Sequence, residues 1–118
     1  MPSLDGVRVL VVDDNPINRE LARAILGQMG AEVSEAADGL AAVEAAQALP
    51  YDVILLDIRM PGLDGPATLA RIREEPGPNQ DAPILAFSAD AGLEHFAAHG
   101  FDAVVSKPLD AGALVAAV

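Results

Sequence analysis

Cysteine is absent from the chain. No disulfide can staple the fold and no thiolate can hold a metal, which leaves apolar burial for stability and oxygen or nitrogen groups for chemistry. Basic residues are scarce as well: seven Lys and Arg stand against 18 Asp and Glu, a formal net charge of −11. A surface that neutralises nucleic-acid phosphates needs a basic patch, so nucleic acid is excluded as a partner. No apolar run approaches the ~20 residues of a membrane-spanning helix. The opening MPSLDGVRVL also lacks the basic start and apolar stretch of a secretory leader. A soluble, cytoplasmic chain without membrane contact is expected. Repeats and low-complexity segments are missing too.

What is present is apolar. Hydrophobic residues make up 52% of the 118 positions, enough for one packed domain over residues 1–118. The most informative stretch is VILLDIRMPGLDG, residues 53–65. Its apolar run is too short for a buried helix and rich in β-formers, so it reads as a strand buried on both faces, as parallel sheets require. Asp57 ends that strand, and Pro61, Gly62 and Gly65 mark an irregular loop after it. A carboxylate at the carboxyl end of a central parallel strand lies where open α/β sheets place their ligands.

The same grammar recurs along the chain. A first strand over residues 7–12 ends in Asp13 and Asp14, and Asn15-Pro16 then supplies an N-cap and a first helical position. Leu21, Ala22, Ile25, Leu26 and Met29 share one face of that helix, which Gly30 closes. A short strand at 31–36 carries Glu32 and Glu35, as a sheet edge would. Asp38-Gly39 turns into a helix at 40–49, stopped by Pro50, and the central strand runs from 52 to 56. A third helix follows at about 66–74, then a polar loop at 75–81 and a fourth strand at 83–88. A short helix at 93–99, a strand at 103–105 and a last helix capped by Asp110 complete the chain. Its end lacks a polar finish, consistent with a longer parent. Alternating strands and helices of this kind make a doubly wound parallel sheet, flavodoxin-like with order 2-1-3-4-5.

In that topology the strand ends share one rim. Asp13, Asp14, Asp57, Ser88 and Lys107 converge there. Crowded carboxylates repel unless protonated or bridged by a cation, and hard oxygen ligands with room for water suit Mg²⁺. A single lysine beside them supplies a point charge for an anion such as phosphate. Nucleophile, metal, cation and hydroxyl together describe a site for placing a phosphoryl group on an aspartate.

These residues carry a family resemblance. Asp13-Asp14, Asp57 within LLDIRMPGLDG, Ser88-Ala89 after PILAF, and Lys107-Pro108 resemble the receiver domain of two-component response regulators, over nearly the whole chain. The resemblance implies that Asp57 accepts a phosphoryl group from the phosphohistidine of a sensor histidine kinase or a histidine-containing phosphotransfer domain. It implies Mg²⁺ held by Asp13, Asp14 (directly), Asp57 and the backbone carbonyl of Arg59. It also gives Ser88 a hydrogen bond to the aspartyl phosphate and pairs Lys107 with it. By the same resemblance Arg59, Asp90 and Ala89 would flank the site and modulate the lifetime of the phosphorylated state. The run Asn-Pro-Ile-Asn-Arg after Asp14 is similar to receivers attached to hybrid sensor kinases, which act in phosphorelays. Two departures bear on readout. Val104 stands at the switch position three before Lys107, where many receivers carry an aromatic residue, and the 19 steps from Ser88 to Lys107 (107 − 88 = 19) are a few short of usual. Both point to a monomeric relay or sink.

Other readings are weaker. A phosphatase of the haloacid dehalogenase type wants Asp-x-Asp after the first strand, whereas Asp13 and Asp14 are adjacent. A flavodoxin-like cofactor carrier needs a glycine- and hydroxyl-rich loop where Asp13-Asp14-Asn15-Pro16 would repel phosphate. A pseudo-receiver that only binds partners would have lost residues this chain retains. His95 and His99 are four apart on a short helix and read as a solvated face. Met60-Pro61 and Asp64-Gly65 shape the loop after Asp57, and Tyr51 and Phe101 read as packing residues.

Overall fold

The computed structural model describes residues 5–58, 62–74, 77–80, 82–88 and 101–106. Arg59, Ala89, Asp90 and Lys107 lie outside the described residues, as do His95, His99, Met60-Pro61 and the helices expected at 93–99 and from 110. The elements in chain order are β1 (Arg8–Val12), α1 (Pro16–Gln28), β2 (Glu32–Ala36), α2 (Gly39–Ala48), β3 (Val53–Asp57), α3 (Gly65–Glu74), β4 (Ile84–Ser88) and β5 (Ala103–Ser106). The strands form one parallel sheet in the order β2-β1-β3-β4-β5.

Alternation along the strands sorts the core into two layers. Leu10, Val12, Ile54, Leu56, Ile84 and Ala86 pack with Val43 and Ala46 of α2 and Leu69 and Ile72 of α3. On the other face Val9, Val11, Val53, Leu55 and Leu85 pack with Ala22 and Leu26 of α1. Every residue of β3 is buried, as are the last four of β1. That is why the runs at 9–12 and 53–56 are unbroken apolar rather than alternating. Phe101 is buried in the first layer and Tyr51 packs against it.

Helix ends follow local chemistry. The Asn15 side chain accepts from the Ile17 N–H, with Pro16 at the first helical position. At the far end Gly30, at φ 95°, lets its own N–H reach Gly27 O and the Ala31 N–H reach Leu26 O, satisfying two terminal carbonyls. Asp38 caps α2 through the Ala41 N–H. Asp64 caps α3 through the Ala67 N–H.

Two features differ from the sequence expectation. Leu21, expected on the buried face of α1, is 40% exposed, beside Ile17 at 70%. The inward stripe runs through Ala22 and Leu26, with Ile25 and Met29 half-buried at its margin, leaving Ile17 and Leu21 (i, i+4) as an outward apolar pair. The polar loop before β4 holds a buried residue: Asn79 is 1% exposed. Its Nδ2 donates to Ala46 O and Leu49 O at 2.6 Å each, and its Oδ1 accepts the Tyr51 N–H at 2.7 Å. One amide thus satisfies the carbonyl end of α2 and the start of the next strand.

Candidate functional site

The register brings the acids together. Val12 of β1 pairs with Leu56 of β3, so the following residues, Asp13 and Asp57, emerge side by side at the carboxyl edge. Carboxylate oxygens of Asp13, Asp14 and Asp57 lie within 4.8 Å of one another. Asp13 and Asp57 are buried while Asp14 is exposed. Three carboxylates this close repel unless one is protonated or positive charge offsets them. The donors are hard oxygens, a set that fits Mg²⁺ with water completing its shell.

Each acid is held differently. The Asp13 N–H donates to Ala36 O at the end of β2 (3.2 Å), and its Oδ1 accepts the Asn15 N–H (2.9 Å). Its carbonyl accepts from Arg19 Nη1 at 2.7 Å. Asp57 is the last residue of β3 and pairs with Phe87 of β4. The loop that leaves it is stitched back where the Gly65 N–H donates to Ile58 O at 3.0 Å. A Cβ on Gly65 would lie 2.5 Å from Asp57 O, so only glycine lets α3 start this close to the acid. Gly39 meets the same constraint against Leu63 O and the buried Thr68 hydroxyl, and that hydroxyl in turn donates to Asp64 O at 2.7 Å.

Ser88 ends β4 and pairs with Ser106 of β5, which puts its backbone one register step beyond the Asp57–Phe87 pair. Lys107 follows Ser106 in the chain but is itself outside the described residues. Three of the five residues expected to form the site are thus assembled as side chains, and a fourth is placed by its strand.

Sequence reasoning missed Arg19 except as part of the run after Asp14. Its signal was position: the first turn of a helix that follows the acidic pair aims a long side chain back at the strand end. Asn79 and Thr68 gave no such signal, because buried amides and hydroxyls look like ordinary loop and helix residues in a sequence.

Comparison with known proteins agrees with this fold. The family model described as response regulator receiver domain matches residues 9–118. The chain is 41% identical over 107 residues to the sensor protein GacS of Pseudomonas syringae pv. syringae, covering 86% of this chain but only 12% of that protein's length. It is 42% identical over 110 residues to the two-component response regulator ORR41 of Oryza sativa subsp. japonica, covering 87% of this chain and 84% of that one. Among solved structures, the receiver domain of the sensor histidine kinase PA1611 from Pseudomonas aeruginosa PAO1 superposes with a TM-score of 0.83 at 34% identity, covering 92% of this chain and 91% of that one. That structure has a magnesium ion coordinated in its active site cleft.

Proposed function

The chain belongs to the response regulator receiver domain family of two-component signalling, and from that premise we propose that Asp57 is the residue that takes the phosphoryl group. The observation that carries this reading is the convergence of Asp13, Asp14 and Asp57 at the carboxyl ends of β1 and β3. An Asp57 oxygen forms a bond to phosphorus as the P–N bond of a phosphohistidine breaks, and the departing imidazole takes up a proton. Asp13, Asp14, Asp57 and the Arg59 carbonyl would hold Mg²⁺, which when bound would offset the negative charge of the transferring group. Ser88 donates a hydrogen bond to the resulting phosphate, and Lys107 pairs with it.

The donor is a sensor histidine kinase or a histidine-containing phosphotransfer domain in the cytoplasm. The outward pair Ile17 and Leu21, on α1 directly after the acidic edge, supports a docking face for such a partner. The described residues include no helix long and apolar enough to cross a membrane. The domain accepts and passes on phosphate as a monomer rather than turning over a substrate. Val104, in β5 opposite Ala86, is a β-branched residue with few rotamers, so its rearrangement can contribute little differential energy to a switching face.

Incubation with a small-molecule phosphodonor and Mg²⁺ should add one phosphoryl mass to the protein, and Asp57→Asn should abolish the addition. Steady hydrolysis of phosphate monoesters would indicate the phosphatase reading instead, and no added mass on the wild type would indicate a pseudo-receiver. Loading with beryllofluoride and Mg²⁺ should leave the mass by light scattering unchanged. A clean monomer-to-dimer change would reject the relay or sink role.

A further inference from the structure

Both backbone groups of Asp13 are tied to the end of β2, but by different routes. Its N–H reaches Ala36 O directly. Its carbonyl reaches β2 through a side chain: Arg19 Nη1 donates to Asp13 O at 2.7 Å, while Arg19 Nε lies 3.4 Å from Glu35 Oε1. The Arg19 side chain is only 18% exposed, so both contacts are partly sheltered from water. Glu35 is in turn shared with Arg23, whose Nη1 lies 3.0 Å from Oε2. A planar guanidinium can serve two acceptors at fixed angles, whereas an ammonium is a point charge.

The atom that Arg19 grips is decisive. The carbonyl of Asp13 belongs to the planar peptide unit that joins it to Asp14. Fixing that oxygen fixes the plane, and the plane sets where the Cα of Asp14, and hence its carboxylate, leaves the strand. Asp14 is exposed, whereas Asp13 is buried and held by its own N–H and carboxylate. The direction of Asp14 therefore depends on the peptide before it.

We propose that Arg19 is a positioning residue for the cation site: braced by Glu35, it orients the Asp13–Asp14 peptide so that the Asp14 carboxylate points at the metal. The inference rests on the Mg²⁺ reading above and adds a residue that touches neither metal nor phosphate.

Charge and geometry make opposite forecasts, which makes the idea testable. Removing a cation beside an acidic cluster should, by electrostatics alone, tighten Mg²⁺ binding. Removing a brace behind a ligand should weaken it, by roughly tenfold or more. Mg²⁺ titrations followed by backbone amide shifts should therefore give a weaker dissociation constant for Arg19→Ala, and the metal-free spectrum should show the Asp14 amide displaced. Arg23→Ala, which loses the Glu35 contact but none to Asp13, should bind Mg²⁺ about as the wild type does. If Arg19→Ala does not fold, Arg19→Gln, which keeps most of the length and polarity, carries the same forecast. Binding as tight as wild type or tighter in the Arg19 variant, with Mg²⁺ binding intact in the wild type, would overturn this inference alone. Absence of saturable Mg²⁺ binding in the wild type would overturn the metal reading and this inference together.

Discussion

Gly65 touches the backbone of Asp57 so closely that a methyl group on it would lie 2.5 Å from the Asp57 carbonyl oxygen and 2.7 Å from the Ile58 Cα. Both obstacles are backbone, so neither can yield by changing a rotamer. Gly65→Ala should push α3 away from the end of β3, destabilising the fold by about 1–3 kcal/mol and slowing phosphorylation of Asp57. Gly27 offers the contrast: it sits within α1, and a methyl group there would meet nothing within 4 Å. Gly27→Ala should stabilise by about 0.4–1 kcal/mol by restricting the unfolded chain. Urea denaturation of the two variants should move the midpoint in opposite directions.

The Asn79 amide makes three hydrogen bonds from a buried position. Asn79→Ala strands the carbonyls of Ala46 and Leu49 and the N–H of Tyr51. At about 1 kcal/mol net for each bond, with more where a buried group is left unpaired, the loss should be on the order of 3 kcal/mol. Amide exchange should accelerate at the last turn of α2 and around Tyr51, while Mg²⁺ affinity at the opposite edge of the sheet stays unchanged.

Asp14→Ala should remove Mg²⁺ binding and phosphorylation together. The protein should lose little stability, because Asp14 is exposed and the variant relieves crowding with Asp13 and Asp57. The paired readout is a Mg²⁺ titration and the mass after treatment with a phosphodonor. Normal phosphorylation of this variant without Mg²⁺ would contradict the proposed site.

Arg59 and Asp90, opposite charges two residues beyond Asp57 and Ser88, are expected to pair across the mouth of the site and hinder the attacking water. Arg59→Ala should then shorten the lifetime of the aspartyl phosphate. An unchanged or slower loss of phosphate would return both residues to the ordinary fate of exposed charges, with no measurable coupling.

The parts of this molecule that could be read from its residues are those where one strong local rule operates. Unbroken apolar runs ending in aspartate located β1 and β3 and their chemical ends, because burial on both faces leaves no room for polar alternation. Asn15-Pro16 and Asp38-Gly39 located helix starts, because capping is a contact between near neighbours in the chain. What could not be read depends on distant pieces. Asn79 lies 30 residues beyond Leu49, whose carbonyl it holds, and nothing near Asn79 announces that partner. Leu21 turns outward because the helical stripe tolerates a rotation of one residue at its margin, and only the packing against the sheet decides which of two apolar neighbours faces inward. The need for glycine at position 65 was equally hidden. A glycine after a strand suggests a turn, whereas here it admits a close approach of two backbones.

The order β2-β1-β3-β4-β5 has a consequence for a chain as it leaves the ribosome. Strand β1 is made first, yet it lies inside the sheet, and its pairing Val9 to Val53 must wait until the partner strand has been synthesised. Until then one of its edges is a row of unpaired polar peptide groups flanked by apolar side chains, the kind of surface that invites aggregation. The acids of the site are divided across the same gap, at 13 and 14 and then at 57. A nascent chain that has reached only α2 holds two of the three carboxylates, and the third arrives with the very strand that covers the exposed edge. Pairing β1 with β3 and gathering the three carboxylates are therefore a single event, and a chain that stops before residue 53 lacks Asp57 and with it the acceptor of the proposed site.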